Sequence, residues 1–402
     1  MTPAPPSPDE PPAEALIQRN VGVRIRELRK ARGLSGYALA RAAGISQSQL
    51  SKIETGKATL SVAVLARLCQ ALDRPLSYLF QSEEEMPRVL GTLTTVAGPE
   101  SEALREFADE VRRRTAGRIT LIPLRASQLG PAEDQVEHLR QGALDLFVEE
   151  IHRFARLAPD ARLFGIPYVF RSEDHRQAML SSSWFRREVF ERLLARGVRI
   201  LNPRWNWQRG VEYVLVSRRA LFSPADVRGL RVRVSEASGL GRLWEEMGAE
   251  PVVLPWADVK RALRDGRIDV LPTHKSHLYP MGLCRYAPYV TRLGDLPSTL
   301  AVAVSEAKYQ ALPPHIQEGI RQACEVAGDR FTEIVTEAER RNEPLNIARH
   351  RASYLTVDTR PWREAFARGV RRMLDAGDLP PRAWEAAERA ARGHSDGLPL
   401  DG

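Results

Sequence analysis

Gly33 to Gly56, GLSGYALARAAGISQSQLSKIETG, is the stretch from which the rest of the chain is read. The spacing predicts two short helices joined by a tight turn. Apolar residues at helical spacing put Leu39, Ala40 and Ala43 on one face of the first helix. Gly44 is expected to end it, because a residue without a β-carbon takes a left-handed conformation at little cost. Ile45 then fills the angle between the helices, and Ser46 is placed to cap the second. From Gln47 to Glu54, Leu50 and Ile53 point inward, which leaves Gln47, Ser48, Gln49, Ser51 and Lys52 outside. Short amide and hydroxyl groups with one cation on a free helix face are the groups that read base edges in a major groove. Amphipathic helix pairs with a glycine turn also occur without that role, so the flanking sequence has to decide.

Val23 to Leu34 (VRIRELRKARGL) predicts a preceding basic helix with Ile25 and Leu28 inward. Ser61 to Leu72 and Pro75 to Phe80 predict two more, with Pro75 suited to a first helical turn. Over Asn20 to Ser82 the run resembles the lambda-repressor-like (Cro/C1, or XRE) helix-turn-helix family. The resemblance is carried by LRKARGLS, the Ala38-Leu39-Ala40 segment, AAGIS, LSKIETG and LARLCQALDRPLSYLF. It implies an all-α, five-helix helix-turn-helix domain over residues 19–82 that binds double-stranded DNA. The expected DNA-contacting residues are Ser35, Gln47, Ser48, Gln49, Ser51, Lys52 and Lys57. Two positions depart from the family. Gly36 stands where the family carries a glutamine that helps hold a phosphate, and Leu60-Ser61 replaces its Pro-Ser.

Charge supports the same assignment. The 402-residue chain has a formal net charge of +8, and Arg19 to Ser82 alone holds 11 Lys+Arg against 3 Asp+Glu. The whole surplus therefore sits on the segment expected to meet phosphates. Cys69, Cys284 and Cys324 are odd in number and far apart, which fits neither a disulfide framework nor a zinc spacing, and Cys69 reads as core. Residues 1–18 open with a proline-rich, acidic run that reads as a disordered tail rather than a secretory signal. No apolar stretch approaches the roughly 20 residues that span a bilayer. The expectation is a soluble, cytoplasmic protein without a membrane partner.

Residues 83–87 read as a linker, and the texture then changes to strands alternating with helices. Strands are predicted at Arg88–Val96, Arg118–Leu124, Leu144–Ile151, Val198–Asn202, Val211–Ser217, Arg231–Ser235 and Pro251–Leu254. Helices are predicted at Glu100–Thr115, Ala132–Gln141 and from Pro313 to about Glu343. This order argues for an α/β domain built on mainly parallel sheets. Five blocks resemble solute-binding proteins of the TRAP transporter (DctP) type: RRTAGRITLIPLRASQLGPAEDQVEHLRQGALDLFV, GIPYVFRSEDH, SPADVRGLRVRV, MGAEPVVLPWADVKRALRDGRIDV and YQALPPHIQEGI. The resemblance implies a two-lobed, periplasmic-binding-protein-like domain over residues 88–392 that closes over a small organic acid, with 393–402 a flexible tail. Attached to a DNA-binding module, such a domain becomes a sensor.

In GLRVRV, strand alternation places Arg231 and Arg233 on one face. The family's carboxylate-binding arginine matches Arg233, whose planar guanidinium can hold a carboxylate through two parallel hydrogen bonds. Glu212 stands where the family often has a second arginine, and Thr273 where it tends to have asparagine. The first exchange suggests a ligand with a positive group, or a pocket that no longer takes simple dicarboxylates. Trp205, Trp207 and Trp256 flank these segments, each as open to a core role as to walling an apolar or cationic ligand, with Trp256 taken among the ligand-binding residues; Glu150, beside Glu149, is expected at the cleft rim. Ser223 and Asp226 form a capping box. Gly239-Leu240-Gly241 lacks the third glycine of a dinucleotide fingerprint. His274 and His277 have helix-like metal spacing without further ligands nearby. No catalytic arrangement, cofactor or metal is indicated.

The reading is a ligand-responsive, one-component transcriptional regulator, not an enzyme, acting as a homodimer on a DNA operator. Two rivals are a regulator whose second domain is a ligand-free dimerisation scaffold and a cytoplasmic solute-binding protein whose helix-turn-helix serves only for association.

Overall fold

The computed structural model describes residues 13–58, 61–74, 76, 79, 88–94, 98–125, 132–235, 240–295 and 298–392. The N-terminal module contains α1 (Ala13–Ala31), α2 (Gly36–Ala42), α3 (Gln47–Glu54) and α4 (Val62–Ala71). The fifth helix, expected at residues 75–80, lies outside the described residues apart from Leu76 and Leu79. α1 begins at Ala13, ahead of the boundary expected at residue 19.

Each later helix of the module starts on a serine whose hydroxyl accepts an otherwise unpaired backbone N–H. Ser35 takes Ala38 N at 3.1 Å, Ser46 takes Gln49 N at 3.1 Å, and Ser61 takes Val64 N at 3.3 Å. Gly44 turns the chain between α2 and α3 with φ +64. Ile25, Leu39, Leu50, Ile53, Leu68 and Cys69 form one apolar core. α1 and α3 approach so closely that a β-carbon on Gly22 would lie 2.1 Å from the Ile53 carbonyl oxygen. Arg29 fastens the same two helices through a pair of hydrogen bonds to Glu54, at 2.6 and 2.9 Å.

The C-terminal part carries eleven described strands. They are β1 (Arg88–Thr94), β2 (Ile119–Arg125), β3 (Leu146–Glu150), β4 (Val198–Ile200), β5 (Tyr213–Ser217), β6 (Arg231–Val234), β7 (Glu250–Val253), β8 (Val270–His274), β9 (Tyr289–Asp295), β10 (Leu300–Ser305) and β11 (Ser353–Thr356). They build a β1-β2 pair, a three-stranded sheet in the order β3-β10-β4, and a six-stranded sheet in the order β11-β9-β5-β8-β6-β7.

The expectation of mainly parallel sheets is corrected. β1–β2, β11–β9, β6–β7 and β6–β8 are parallel, whereas β10 runs against β3 and β4, and β5 against β8 and β9. Helical crossovers keep neighbouring strands parallel. β5 is instead reached from β4 through the helix-free segment 201–212, and β10 follows β9 within a few residues. Both strands therefore enter their sheets reversed.

Phe107, Leu146, Val148, Trp207, Val302 and Phe331 form one core of the first half, against α5 (Pro99–Arg114) and one long helix, Pro314–His350, while Phe147, Ala301 and Ala303 pack into a cluster shared with Leu215 and Val232 of the second half. Val214, Val216, Leu263, Leu271 and Val290 form one core of the second half. The long helix serves both. Its Ile316–Val335 side lies in the first core, and beyond it Glu339 reaches the crossing segment at Val211 and Glu343 reaches Lys275 at the end of β8. No described helix is long and apolar enough to cross a membrane.

Candidate functional site

The free face of α3 is as polar as the sequence predicts. Leu50 and Ile53 are buried, while Gln47, Ser48, Gln49, Ser51 and Lys52 are exposed. Lys57 is exposed just beyond the helix, and Ser35 is exposed while capping α2. A β-carbon on Gly36 would lie 3.9 Å from Gln47 Nε2, so the Gln47 amide stands beside the start of α2.

The second site lies where the ends of β3 and β8 meet the crossing segment before β5. Arg209, from that segment, is buried and surrounded by carboxylates. Its Nη1 donates to Glu149 Oε1 at 2.6 Å and Glu150 Oε1 at 3.0 Å, and its Nε lies 3.3 Å from Glu100 Oε1. Glu100 comes from the first turn of α5. β8 ends at His274, whose Nε2 meets Glu150 Oε1 at 2.9 Å. His277, one short turn later, bridges Thr273 Oγ1 at 3.1 Å and Glu100 Oε1 at 2.7 Å. The Tyr213 ring packs on His274 with centroids 4.9 Å apart.

Arg233 closes the other side. It is buried on β6, and its Nε and Nη2 donate to the Leu254 carbonyl at 3.1 and 3.0 Å. Its guanidinium carbon lies 5.5 Å from the ring centre of Trp256, and Trp256 packs in turn against His277 at 4.9 Å. Arg231, on the same strand face, is paired with Asp269 at 2.8 Å. A chain of direct contacts therefore joins Arg233, Trp256, His277, Glu100, Arg209 and Glu149.

The ionisation of these groups follows from their neighbours. Burial works to raise the Glu100 carboxyl, but Arg209 and His277 hold it down at about 2. Glu150 is likewise held well below the usual carboxylate range, against burial, by His152, His274 and Arg209. Burial lowers His274 and pushes His152 down to about 3. Burial also raises the Tyr213 hydroxyl.

Glu212 has a different setting. It lies 3.7 Å from Arg292 and 3.9 Å from Lys275, and both cations also pair with Glu343 of the long helix. Burial raises its carboxyl against these two cations. Beside it, Glu339 Oε2 accepts the Val211 N–H at 3.0 Å, and burial raises this carboxyl to about 7. Gly210, at φ +89, is the only residue type that fits here, since a β-carbon would lie 1.9 Å from Glu339 Oε1.

The structure thus brings Arg233, Trp256, Thr273 and Glu150 into one contact chain and sets Glu212 among the ion pairs of the crossing segments. Trp205 and Trp207 are core, Trp207 donating to the Cys324 carbonyl at 3.0 Å. His274 and His277 do not share a helix face: one ends a strand and the other closes a 3₁₀ turn. Among the described residues no group of three or more His, Cys, Asp or Glu is placed to hold a metal ion. Gly239 lies outside the described residues. Sequence reasoning missed Glu100, Arg209, Tyr213 and Glu339. A signal was present in LFVEEI, where two acids in an apolar strand require a buried counter-charge.

A family model described as bacterial extracellular solute-binding protein, family 7 (DctP), matches residues 90–376. The chain belongs to that family. A helix-turn-helix model matches residues 25–79, so this DctP domain follows an XRE-type module. Among characterised DctP relatives, the 2,3-diketo-L-gulonate-binding periplasmic protein of Escherichia coli is 25% identical over 239 residues, spanning 60% of this chain and 72% of its own. The sialic acid-binding periplasmic protein of Vibrio cholerae is 26% identical over 282 residues, spanning 69% and 85%. A TRAP periplasmic solute binding protein from Chromohalobacter salexigens, solved with bound D-glucuronate, matches with a TM-score of 0.68 at 21% identity, covering 76% of this chain and 99% of that one. One from Shewanella oneidensis, solved with bound succinate, gives 0.68 at 19% identity, with 76% and 99% covered. At these identities the two structures speak for the DctP fold.

Proposed function

We propose that the protein is a one-component transcriptional regulator whose DctP domain senses a small organic acid and whose helix-turn-helix binds an operator in the cytoplasm. One observation carries the reading: a solvent-facing polar α3 and a buried arginine of the DctP fold stand on the same chain. Gln47, Ser48, Gln49, Ser51 and Lys52 are assigned to base edges, and Ser35 and Lys57 to the backbone. The Gln47 amide beside Gly36 occupies the neighbourhood in which the family's missing glutamine would act.

Arg233 is assigned to the ligand carboxylate. Its anchorage on the Leu254 carbonyl and the Trp256 ring fixes the guanidinium before the ligand arrives, which lowers the ordering cost of binding. Trp256, Thr273 and Glu150 belong to the same wall, and Glu212 acts from the hinge. One helix-turn-helix reads a half-site, so a homodimer is expected on half-sites about 34 Å apart or a multiple of that. Closing the two lobes would move the modules relative to each other, and the ligand shifts operator affinity only by as much as it prefers one conformer.

The test is a mobility-shift titration on promoter fragments of the protein's own gene and its neighbours, with and without D-glucuronate and succinate. A ligand-dependent shift that Arg233→Ala abolishes while ligand-free DNA binding persists is the expected result. Absence of sequence-specific DNA binding would remove the regulator assignment.

A further inference from the structure

We propose that the ligand is zwitterionic: an acid whose carboxylate meets Arg233 and which presents an ammonium group to Glu149. This rests on the reading that the cleft binds an organic acid through Arg233.

The charges on the cleft wall lead to it. Arg153, Arg233, Glu150 and Asp295 all lie close enough to Tyr213 to act on its hydroxyl, and Glu150 shares Arg209 with Glu100 and Glu149. Guanidinium groups and carboxylates thus alternate across this wall, and Arg176 adds a further cation beside Asp295. Glu100 and Glu150 are held below the usual carboxylate range, while burial lowers His274 and pushes His152 down to about 3, so the carboxylates here are matched chiefly by guanidinium groups. His277 is tied to Thr273 and Glu100. A simple acid entering this space adds a further buried negative charge, and a dicarboxylate adds two; burying charge without a partner is strongly unfavourable. A zwitterion adds none.

The hydrogen-bonding groups are divided along the same line. At the Arg233 end, the Trp256 indole N–H is buried and has no hydrogen-bond partner among the described residues. It is a donor only and suits a carboxylate oxygen. At the other end, Glu149 gives its Oε1 to Arg209 and to the Glu150 N–H, while its Oε2 makes no hydrogen bond to any described residue. An ionised carboxylate only accepts, and an ammonium only donates. The Tyr213 hydroxyl, within electrostatic reach of both Arg233 and Glu150, has no hydrogen bond among the described residues, and the buried Nδ1 of His274 is likewise unpartnered among them; either can meet a ligand hydroxyl. Glu212 does not supply the acidic end, because Arg292 and Lys275 neutralise it.

The experiment is calorimetric titration of the full-length protein with acids matched in pairs: D-gluconate against 2-amino-2-deoxy-D-gluconate, and succinate against aspartate. The amino member of at least one pair is expected to bind about tenfold tighter or better, as one charge-assisted hydrogen bond implies. Glu149→Gln is expected to collapse that preference, and Arg233→Ala to weaken both members together. Equal or tighter binding of the amine-free acids overturns the zwitterion and leaves the Arg233 reading standing. Binding of amines without any acid requirement overturns the Arg233 reading, and failure of every acid to bind overturns both. Native mass spectrometry of the purified protein decides without a variant: a co-purified ligand with an ionisable nitrogen supports the proposal, and a nitrogen-free acid overturns it.

Discussion

The free face of α3 and the buried cluster around Arg209 hold their polar side chains in opposite ways. On α3, Gln47, Ser48, Gln49, Ser51 and Lys52 stand in solvent, and the helix is fixed from behind by Leu50 and Ile53. Around Arg209 the polar groups are themselves the packing: Glu100, Glu149, Glu150, Arg209, His274 and His277 are all buried and linked by direct contacts. The first surface can change its chemistry without disturbing the fold. The second cannot, because each charged group there is kept tolerable by the others.

The largest expected effect follows from that difference. Arg209→Ala leaves three buried carboxylates without their common partner. A loss of about 3–5 kcal/mol in urea denaturation is expected, the scale for breaking a buried ion pair. A change below about 1 kcal/mol, the level of an exposed pair, would place the cluster in solvent and erase the contrast.

The pH profile sharpens the same contrast from the acid side. Glu339 is raised to about 7 by burial, so its folded-state value lies above the unfolded 4.5. Its contribution is fully present below pH 4.5 and is lost as pH rises through about 7, on the order of 3 kcal/mol in all. Glu100 has the opposite sign: its stabilisation is present above 4.5 and is lost as pH falls towards about 2. Glu339→Gln should flatten the fall in unfolding free energy between pH 5 and 7.5 and leave the acid limb in place, whereas an unchanged slope would remove Glu339 as its cause.

Within the N-terminal module, Gly22→Ala forces a β-carbon against the Ile53 carbonyl, and overpacking of this kind costs about 1–3 kcal/mol. DNA binding should weaken while ligand affinity of the C-terminal domain is unchanged; parallel loss of both would mean that the two regions unfold together. The smallest effect on stability is expected for Gln47→Ala with Lys52→Ala, within about 0.5 kcal/mol as for other surface changes. Specific DNA affinity should nevertheless fall by about 1–3 kcal/mol for each base that is no longer read. Undiminished operator binding would show that another face reads the DNA.

The two regions are also unequally legible. α2, α3 and α4 can be placed because their signals are local: Ser35, Ser46 and Ser61 each cap the helix that they precede, and Gly44 turns the chain where a β-carbon is unwelcome. Arg233 is reached through two-residue alternation on β6 and the family's motif. The Arg209 cluster gives no such handle, since its members come from positions near 100, 150, 209 and 275, and no periodicity links them. Ending the long helix at Glu343 respects the usual effect of proline, but the helix continues through Pro344 to His350. Arg340, whose carbonyl loses its partner there, lies on the exposed side where water can serve it. Strand–helix alternation likewise implies parallel sheets, and it fails at β5 and β10, the strands that join the halves.

The long helix also governs how such a domain can be inherited. The chain leaves the first half before β5, returns to it at β10, and runs along the helix before completing the second half with β11. Neither half is a continuous segment, so a gene break between Val214 and Val335 would divide both cores. Recombination can therefore carry the solute-binding fold only whole, joined to other modules at its ends, which is how it stands behind a helix-turn-helix in this chain.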